Sequence, residues 1–498
     1  MELLLQIIPI FLLLIISIII IIIFSPKRWA QGRKKPGRQL APAPGWRLPV
    51  IGHLHHFLTS RQPPHRLLRE LSRKHGDVIR LELGEISHVL ISSAEAAMEV
   101  MRTHDVKFAQ RPPHPHYEKV VYGGMDLIQA PYGDYWRQLR RIATLELLTA
   151  KRVRSLRRVR EAEVRTLVAS IAASSPGATI DLTRMLFSFT YRIISMSTFG
   201  DVSRGQEEFI KVAEKLVEYA GGFKVAYLFP SNALVQMLSG TEEFLDGIQK
   251  VVDGLAESMI EQHQARRAAQ EGKSRAEEEE EDLLDVLLNL QENDTTLGFR
   301  LSTDAVKGFL LDIFLAGSET PAALIEWTMS ELIKNPEVMY KAQSEKLVIK
   351  ETLRLHTPAP LVLPRECREE CRISGYDIPL KTRILVNAWA IARDPRYWGE
   401  EAEKFMPERF LNNKVSFRGG DFEFLPFGAG RRMCPGMTFG LAAAELPLAS
   451  LLFHFDWELP RGVEPTSFNM DEKFGVTLRR ENHLELIPVV RYNPLPSI

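Results

Sequence analysis

The residue with the clearest chemical potential is a cysteine near the C-terminus. The run FGAGRRMCPG places Cys434 between Gly430 and Gly436, shortly after Arg431 and Arg432. Glycines let a backbone approach a flat partner closely, and backbone amides together with the two cations favour a thiolate. A thiolate just before an apolar, helix-like run suits ligation of a metal such as haem iron. Taken alone, this pattern is equally typical of a buried cysteine in a tight turn.

Five residue types at fixed spacing decide between these interpretations, because they match the haem-ligand signature F-x-x-G-x-R-x-C-x-G. They are Phe427, Gly430, Arg432, Cys434 and Gly436. The chain resembles a plant microsomal cytochrome P450 from its N-terminal segment to its C-terminus. The resemblance implies a haem-thiolate monooxygenase that inserts one atom of dioxygen into its substrate. Electrons would come from NADPH through the membrane-bound NADPH-cytochrome P450 reductase, since the chain has no G-x-G-x-x-G fingerprint of its own.

The run AGSET that begins at Ala316 matches the family pattern A-G-x-[D/E]-T on the helix above the haem. Oxygen activation consumes protons, and Glu319 beside Thr320 could relay them through water. The Thr320 hydroxyl could also bond the Ala316 carbonyl and loosen the helix. Pro321 lacks an N–H and disfavours the α conformation of Thr320, which predicts a kink at this point. Without Cys434, Thr320 would be interpreted as a capping or core residue.

Glu351 and Arg354 match the E-x-x-R motif, and PERF at residues 407–410 contributes Arg409. Residues at i and i+3 share one helix face and can pair, although such pairs are common on helix surfaces. The resemblance implies that the three side chains form a buried triad beneath the haem.

Several hydrogen-bond donors, most of them arginines, are expected to bind the haem propionates. Trp136 and Arg140 match W-x-x-x-R and share a helix face, so both could donate to a carboxylate. By resemblance, Arg365 and Arg432 donate to the propionates as well. Each arginine alone would be interpreted as a surface cation, so the prediction depends on the set.

Composition excludes several classes of protein. The 498 residues are 45% hydrophobic and 25% charged, as in a globular chain. Sixty-three basic residues balance 63 acidic ones, so a general nucleic-acid-binding role has no electrostatic basis. Three cysteines cannot form a disulfide framework and fit the reducing cytosol; Cys367 and Cys371 lie outside every motif and are expected to be dispensable.

The N-terminus predicts a membrane anchor. Residues 3–24 are uncharged and long enough to cross a bilayer, and six cations follow between residues 25 and 40. A cleaved signal peptide is disfavoured because the apolar run is long and lacks a basic start. We expect a transmembrane anchor over residues 1–24, a basic and proline-rich hinge over 25–52, and a haem-thiolate catalytic domain over 53–498. That domain would be cytoplasmic, on a single-pass protein of the endoplasmic reticulum membrane.

Hydrophobic periodicity predicts a mainly α fold with small β-sheets. Residues 77–92 alternate as in a hairpin, 135–355 are mostly helical, and short strands return at 362–389 and 474–490. This distribution agrees with the cytochrome P450 fold behind a single N-terminal transmembrane helix.

The expected substrate pocket is apolar. By resemblance, its lining includes Ile313, Ala316, Leu361, Val362, Phe474 and Val476. An apolar pocket on an anchored enzyme predicts a lipophilic substrate, and the chain resembles plant enzymes of secondary metabolism that oxidise terpenoids. Alkaloids, phenylpropanoids and fatty acids remain open. Alternative functions are a hydroperoxide-consuming haem-thiolate isomerase and a catalytically impaired or inactive haem-binding variant.

The impaired variant is considered because about two dozen residues of the family's pattern are missing between Glu345 and Lys346. No glycine, proline or cap interrupts residues 337–355, so local sequence favours one fused helix where the family fold needs two. Either the chain unwinds near residues 343–348, or Glu351 and Arg354 miss Arg409. An irregular junction, a normal haem pocket elsewhere and weak haem retention are expected.

Overall fold

Helices dominate the fold. The computed structural model describes residues 37–200, 206–221, 223–270, 281–292, 301–341 and 345–492. Its α-helices are α1 (His55–Thr59), α2 (Pro64–His75), α3 (Ala94–Met98), α4 (Pro115–Val120), α5 (Asp134–Ile142), α6 (Ala150–Ser155), α7 (Arg157–Ala172), α8 (Leu182–Phe199), α9 (Gln206–Tyr219), α10 (Val225–Leu228), α11 (Ala233–Leu238), α12 (Thr241–Gln270), α13 (Leu283–Glu292), α14 (Thr303–Lys334), α15 (Pro336–Lys341), α16 (Glu345–Leu355), α17 (Ala388–Ile391), α18 (Pro395–Trp398) and α19 (Met437–His454).

The strands form four small sheets. They are β1 (Val78–Leu83), β2 (Ile86–Ile91), β3 (Ile180–Asp181), β4 (Arg365–Glu366), β5 (Cys371–Ile373), β6 (Tyr376–Ile378), β7 (Arg383–Val386), β8 (Phe455–Glu458), β9 (Glu472–Lys473), β10 (Arg479–Arg480) and β11 (Glu485–Val490). The largest sheet has the order β1-β2-β7-β4, and β2 runs parallel to β7. The others are β3-β11-β8, β5-β6 and β10-β9. The predicted hairpin, helical region and late strands are confirmed, whereas β3 and β8 were not predicted.

The core is organised around α14, which packs against α8, α12, α16 and α19. Most of its residues are buried, including charged ones such as Asp312 and Glu319, because other elements pack around it. Both α14 and α19 are long and apolar enough to cross a bilayer; the apolar window of α14 is mostly buried in the fold, whereas about a third of that of α19 is buried.

The proline-rich hinge docks onto the first sheet where it can be described. Ala41 is buried, the Arg80 N–H donates to the Pro42 carbonyl at 2.7 Å, and Gly52 pairs with Leu83 of β1. The predicted anchor, residues 1–24, and hinge residues 25–36 lie outside the described residues.

Candidate haem-thiolate site

The loop that carries Cys434 is closed by backbone contacts. The Cys434 N–H donates to the Phe427 carbonyl at 3.0 Å, and Gly428 and Gly430 both have positive φ. At Gly430 a Cβ atom would lie 2.1 Å from the Met101 carbonyl oxygen. No side chain fits there, which explains why this position of the motif is glycine.

The Cys434 sulfur lies where the loop meets α19. The backbone N–H groups of Gly436 and Met437 donate to it, as expected near a helix N-terminus. Burial raises the pKa of the Cys434 thiol, while these amides and the Arg140 cation oppose that rise. The cation beside the sulfur is therefore Arg140.

The expectation that Arg431 and Arg432 favour the thiolate is wrong, because both face away from it. The Arg431 N–H donates to Asp105 at 2.9 Å, and its guanidinium lies 3.6 Å from the same carboxylate. Arg432 donates to the carbonyls of Ala109 at 2.9 Å and Ala130 at 2.6 Å. These contacts fix the loop from outside.

We infer an internal cavity between Cys434 and α14 from the exposure of residues on both elements. Cys434 is exposed although protein surrounds it on all sides. On α14, Ala316 is exposed while its neighbours Phe314 and Leu315 are buried. Exposed positions on elements that pack in a core face an internal space. The Cys434 thiol therefore lies on one side of this cavity, and α14, which carries Glu319 and Thr320 and is called the oxygen helix below, lies on the other.

Four arginines, Arg111, Arg140, Arg365 and Arg432, form a cluster beside the Cys434 loop and its cavity. Arg140 makes no hydrogen bond from its guanidinium to any residue that the structure describes. Arg365 donates to Asp105 at 3.0 Å and to the Ala429 carbonyl at 2.7 Å, and its Nε has no partner among the described residues.

Burial and mutual repulsion both disfavour the charged state of these arginines. Burial, reinforced by Arg365, lowers the pKa of Arg432 to about 9. Burial, together with Arg432 and Arg365, also holds the pKa of Arg111 well below its usual value. A dianionic ligand would relieve this repulsion, and haem carries two propionates. The thiol, the cavity and the cations together fit a haem.

Trp136 has a different contact from the predicted one. Its indole N–H donates to the Leu127 carbonyl at 3.1 Å, and the guanidinium of Arg432 lies 4.3 Å from the centre of its ring. Since the donor is occupied, the described role of Trp136 is to support Arg432. Donation by Trp136 to a propionate stays a prediction.

The oxygen helix is continuous through its proline. Thr320 donates to the Ala316 carbonyl at 2.7 Å, as the sequence suggested. The expected departure of Thr320 from the α conformation is wrong, because α14 extends helically across Pro321. Gly317 allows a close approach here, since a Cβ atom would lie 2.5 Å from Cδ1 of Ile194.

Glu319 is not in contact with the Thr320 hydroxyl. Its buried carboxylate pairs with the Arg479 guanidinium, which also lies 3.5 Å from Glu214. Burial raises the pKa of Glu319, and Arg479 opposes that rise. The structure therefore places the two predicted relay residues side by side on α14 with different partners.

The structure brings Glu351, Arg354 and Arg409 together. Arg354 donates to both carboxylate oxygens of Glu351 at 2.7 and 2.8 Å, and Arg409 Nε lies 3.5 Å from Oε1 of Glu351. Arg354 also donates to three carbonyls of the segment before Arg409, at Ala392, Ala402 and Lys404. The triad is therefore part of a larger hydrogen-bonded cluster.

The triad also answers one question about the suspected gap. Helix α15 ends at Lys341 and α16 begins at Glu345, so α16 reaches the position that the triad requires. Residues 342–344 lie outside the described residues, so the predicted irregular junction stays a prediction.

A second, small cavity of about 40 Å³ is lined mainly by apolar side chains. It includes the predicted residues Leu361, Val362, Phe474 and Val476. Val362 has a φ of +49°, which is strained for a β-branched residue, and a Cβ atom at Gly428 would lie 3.7 Å from Val362 Cγ1. Val362 therefore stands between this cavity and the Cys434 loop. Ile313 and Ala316 do not line it, because they lie on α14.

Comparison with known proteins decides the family. The family model described as Cytochrome P450 matches residues 42–484. The chain belongs to the cytochrome P450 family. It is 46% identical to desmethyl-deoxy-podophyllotoxin synthase of Sinopodophyllum hexandrum, over 95% of this chain and 96% of the synthase. It is 42% identical to germacrene A hydroxylase of Saussurea costus, over 92% of this chain and 95% of that enzyme. A zebrafish cytochrome P450 structure with abiraterone has the same fold, with a TM-score of 0.71 and 24% identity over 86% of this chain and all of that one.

Membership of the cytochrome P450 family makes the chain a haem-thiolate monooxygenase, an oxidoreductase that uses molecular oxygen. The haem, when bound through Cys434, supplies the iron at which dioxygen is activated. The predicted recognition, fold class, enzyme class and cofactor are confirmed. The substrate is a lipophilic small molecule, and electrons come from a redox partner.

The P450 alignments also reveal missing positions. The alignment with the synthase has 496 positions but includes 95% of this 498-residue chain, about 473 residues. About 23 positions therefore have no residue of this chain opposite them, which agrees in size with the predicted gap.

Sequence reasoning missed two arginines of this P450 site. Arg111 donates to Ile128, Leu363 and Pro364 carbonyls and completes the arginine cluster. Arg479 holds Glu319. The pair of adjacent arginines, Arg479 and Arg480, in a short strand was a weak sequence indication of a buried ion pair. Nothing in the sequence indicated a role for Arg111 except the two prolines that follow it.

Proposed function

We propose that this P450 hydroxylates a terpenoid or a similarly apolar specialised metabolite. The observation that carries the proposal is the apolar lining of the small cavity beside Val362, a residue that also packs against Gly428 of the Cys434 loop. Its lining offers few hydrogen-bond donors, so shape and apolar contact would select the substrate. One relative is named a germacrene A hydroxylase, which supports a terpenoid as the first class to test.

We propose further that the enzyme is a single-pass protein of the endoplasmic reticulum membrane. Large apolar side chains are exposed on the hinge and on α11: Trp46 is 86% exposed and Leu238 is 73% exposed. The two regions pack against the same core cluster, which is contacted by Val50 and Ile51 of the hinge and by Val235 of α11. Such a surface suits contact with a bilayer, and Phe223 also lines the substrate cavity. A lipophilic substrate would enter from the membrane.

The electron donor we propose is NADPH-cytochrome P450 reductase. Helix α5 places Arg140 and Trp136 beside the Cys434 loop and exposes Arg137 and Arg141 on its outer side. Exposed Arg431 adds a cation near this surface. A basic surface over the thiolate suits an acidic flavoprotein domain.

The test is reconstitution of the holoenzyme with the reductase, NADPH and isotopically labelled dioxygen. Germacrene A is the first substrate, followed by a lignan, a fatty acid and an alkaloid. One labelled oxygen atom in the product supports a monooxygenase. The substrate that yields the most labelled product identifies the substrate class. Turnover from a hydroperoxide alone, with none from NADPH, would instead favour the isomerase.

A catalytically impaired variant remains a second proposal, because about 23 aligned positions lack a residue here. We place them after Glu345. The formed triad of Glu351, Arg354 and Arg409 supports retained haem binding even so.

A further inference from the structure

Two carboxyl groups meet in the interior beside the oxygen helix. Asp126, in the segment before α5, is fully buried, and Asp312, on α14, is 6% exposed. Oδ2 of Asp312 accepts hydrogen bonds from the Leu127 N–H at 2.7 Å and the Ile128 N–H at 3.1 Å. The carboxyl groups of Asp126 and Asp312 adjoin each other, and each influences the protonation of the other.

Two adjoining buried carboxyl groups repel each other when both are ionised. Oδ1 of Asp126 is buried and has no hydrogen-bond partner among the described residues, so it could accept a proton from the adjoining carboxyl of Asp312. Burial raises the pKa of Asp126 to about 6 and that of Asp312 well above its usual value. Ionisation of both carboxyl groups is therefore disfavoured at neutral pH, and one proton on the pair would remove the repulsion.

The charged groups around the pair do not replace this proton. Arg432 is the cation that stabilises ionised Asp126, and the Asp126 charge in turn acts on Arg111 and raises the pKa of Tyr135, after burial. From α14, a Cβ atom at Gly308 would lie 3.3 Å from Cα of Asp126, so the helix backbone closes that side. One negative charge on the pair is balanced by Arg432, and a second would not be.

The segment of residues 126–130 also contacts Arg432 and Arg111 through its carbonyl groups. Arg432 Nη1 lies 3.3 Å from the Leu127 oxygen, and Nη2 donates to the Ala130 oxygen at 2.6 Å. Arg111 Nε donates to the Ile128 oxygen at 3.1 Å. The N–H groups of residues 127–128 thus point to α14, while carbonyls of the segment point to the arginines.

We propose that Asp126 and Asp312 are positioning residues that share one proton and clamp segment 126–130 onto the oxygen helix. The clamp holds the carbonyl groups that orient Arg432 and Arg111 beside the Cys434 loop. Haem retention thereby depends on two carboxyl groups that lie outside the arginine cluster itself.

The shared proton makes the clamp sensitive to pH. Between about pH 4 and the raised pKa of the pair, the folded protein holds a proton that the unfolded chain has released. Stability therefore falls as pH rises through this window, and the unfolding equilibrium constant grows by up to about tenfold per pH unit.

The test uses purified holoenzyme and three variants of α14. Asp312→Asn keeps an oxygen for both amides and donates N–H to Asp126, so it imitates the protonated state permanently. Asp312→Leu removes the acceptor. Asp304→Asn is the matched control, since Asp304 is exposed in the first turn of the same helix. The melting temperature and the rate of haem transfer to apomyoglobin are followed from about pH 5 to about pH 8, which spans the expected titration.

We expect wild type and D304N to melt lower and lose haem faster as pH rises, whereas D312N changes much less and D312L loses haem fastest at every pH. If D312L does not fold, Asp126→Asn supplies the second arm, because its amide can donate to Asp312 and should flatten the pH profile as D312N does. Parallel pH profiles for wild type, D312N and D126N would overturn the shared proton. Haem transfer from D312L at the wild-type rate at every pH would overturn the positioning role.

Discussion

The carboxylate of Glu319 pairs with the guanidinium of Arg479 on β10, while the adjacent Thr320 hydroxyl donates to the Ala316 carbonyl at 2.7 Å. Two side chains expected to act in one proton relay thus have separate partners. Arg479 also faces Glu214, which is half exposed, so one guanidinium links a buried acid to an exposed one. Because Arg479 stabilises ionised Glu319, it influences the pH at which Glu319 carries a proton.

Replacement of Arg479 by glutamine should change the pH dependence of coupled turnover. Burial already raises the pKa of Glu319, and loss of the cation raises it further. We expect the profile of product formed per NADPH consumed to move to higher pH by about one unit or more. Lys473→Gln, at the exposed cross-strand partner of Arg479, should leave the profile in place. Coincident profiles for R479Q and wild type would show that Arg479 does not control Glu319.

Thr320→Ala should retain haem but lower the product formed per NADPH by up to about 100-fold, since the hydroxyl serves proton delivery. Ser318→Ala is the matched control, because its hydroxyl makes the same type of bond, to the Phe314 carbonyl at 2.6 Å, from a buried position. An equal loss of coupling in both variants would mean that helix geometry, and not the Thr320 hydroxyl, is responsible.

The sequence was sufficient to predict those parts of the site whose geometry is determined by a short motif. Cys434 and its glycines fall within ten residues, and Glu351 with Arg354 lie one helical turn apart, so local spacing was sufficient. Arg111 and Arg479 were missed because their partners are remote in sequence: Arg111 binds carbonyls of residues 363–364, and Arg479 binds Glu319. Only the tertiary fold brings these groups together.

The long elements of the fold were predictable because local sequence determines them, whereas the short strands were not. The alternation in residues 78–91 gave the β1–β2 hairpin, and continuous apolar periodicity gave α14. Strands β3 and β8 hold two and four residues and exist through pairing with β11, which local sequence does not encode.

Removal of Glu351 should test the buried triad. Glu351→Ala leaves Arg354 and Arg409 without their buried carboxylate, so the free energy of unfolding should fall by about 3–5 kcal/mol. Glu161→Ala breaks a partly exposed helical pair with Arg157 and should cost no more than about 1 kcal/mol. Denaturant titration of both holoenzymes measures the difference, and similar losses in the two variants would contradict a structural triad.

Insertion of a relative's missing segment after Glu345 should raise the haem content per chain, because it would relieve the junction between α15 and α16. A glycine–serine segment of equal length at the same position is the control for length alone. A full complement of thiolate-bound haem in the natural chain, with normal turnover, would show that the segment is not needed.

The reduced, carbon-monoxide-bound absorption spectrum tests the central claim, that Cys434 binds haem iron as a thiolate. Wild type should show the band typical of haem-thiolate proteins. Cys434→Ser should abolish it, since an alcohol is a poor substitute for sulfur on the iron. Cys367→Ser and Cys371→Ser should keep it, because neither thiol belongs to the cavity. A wild-type spectrum without that band, or a C434S spectrum that retains it, would contradict the assignment.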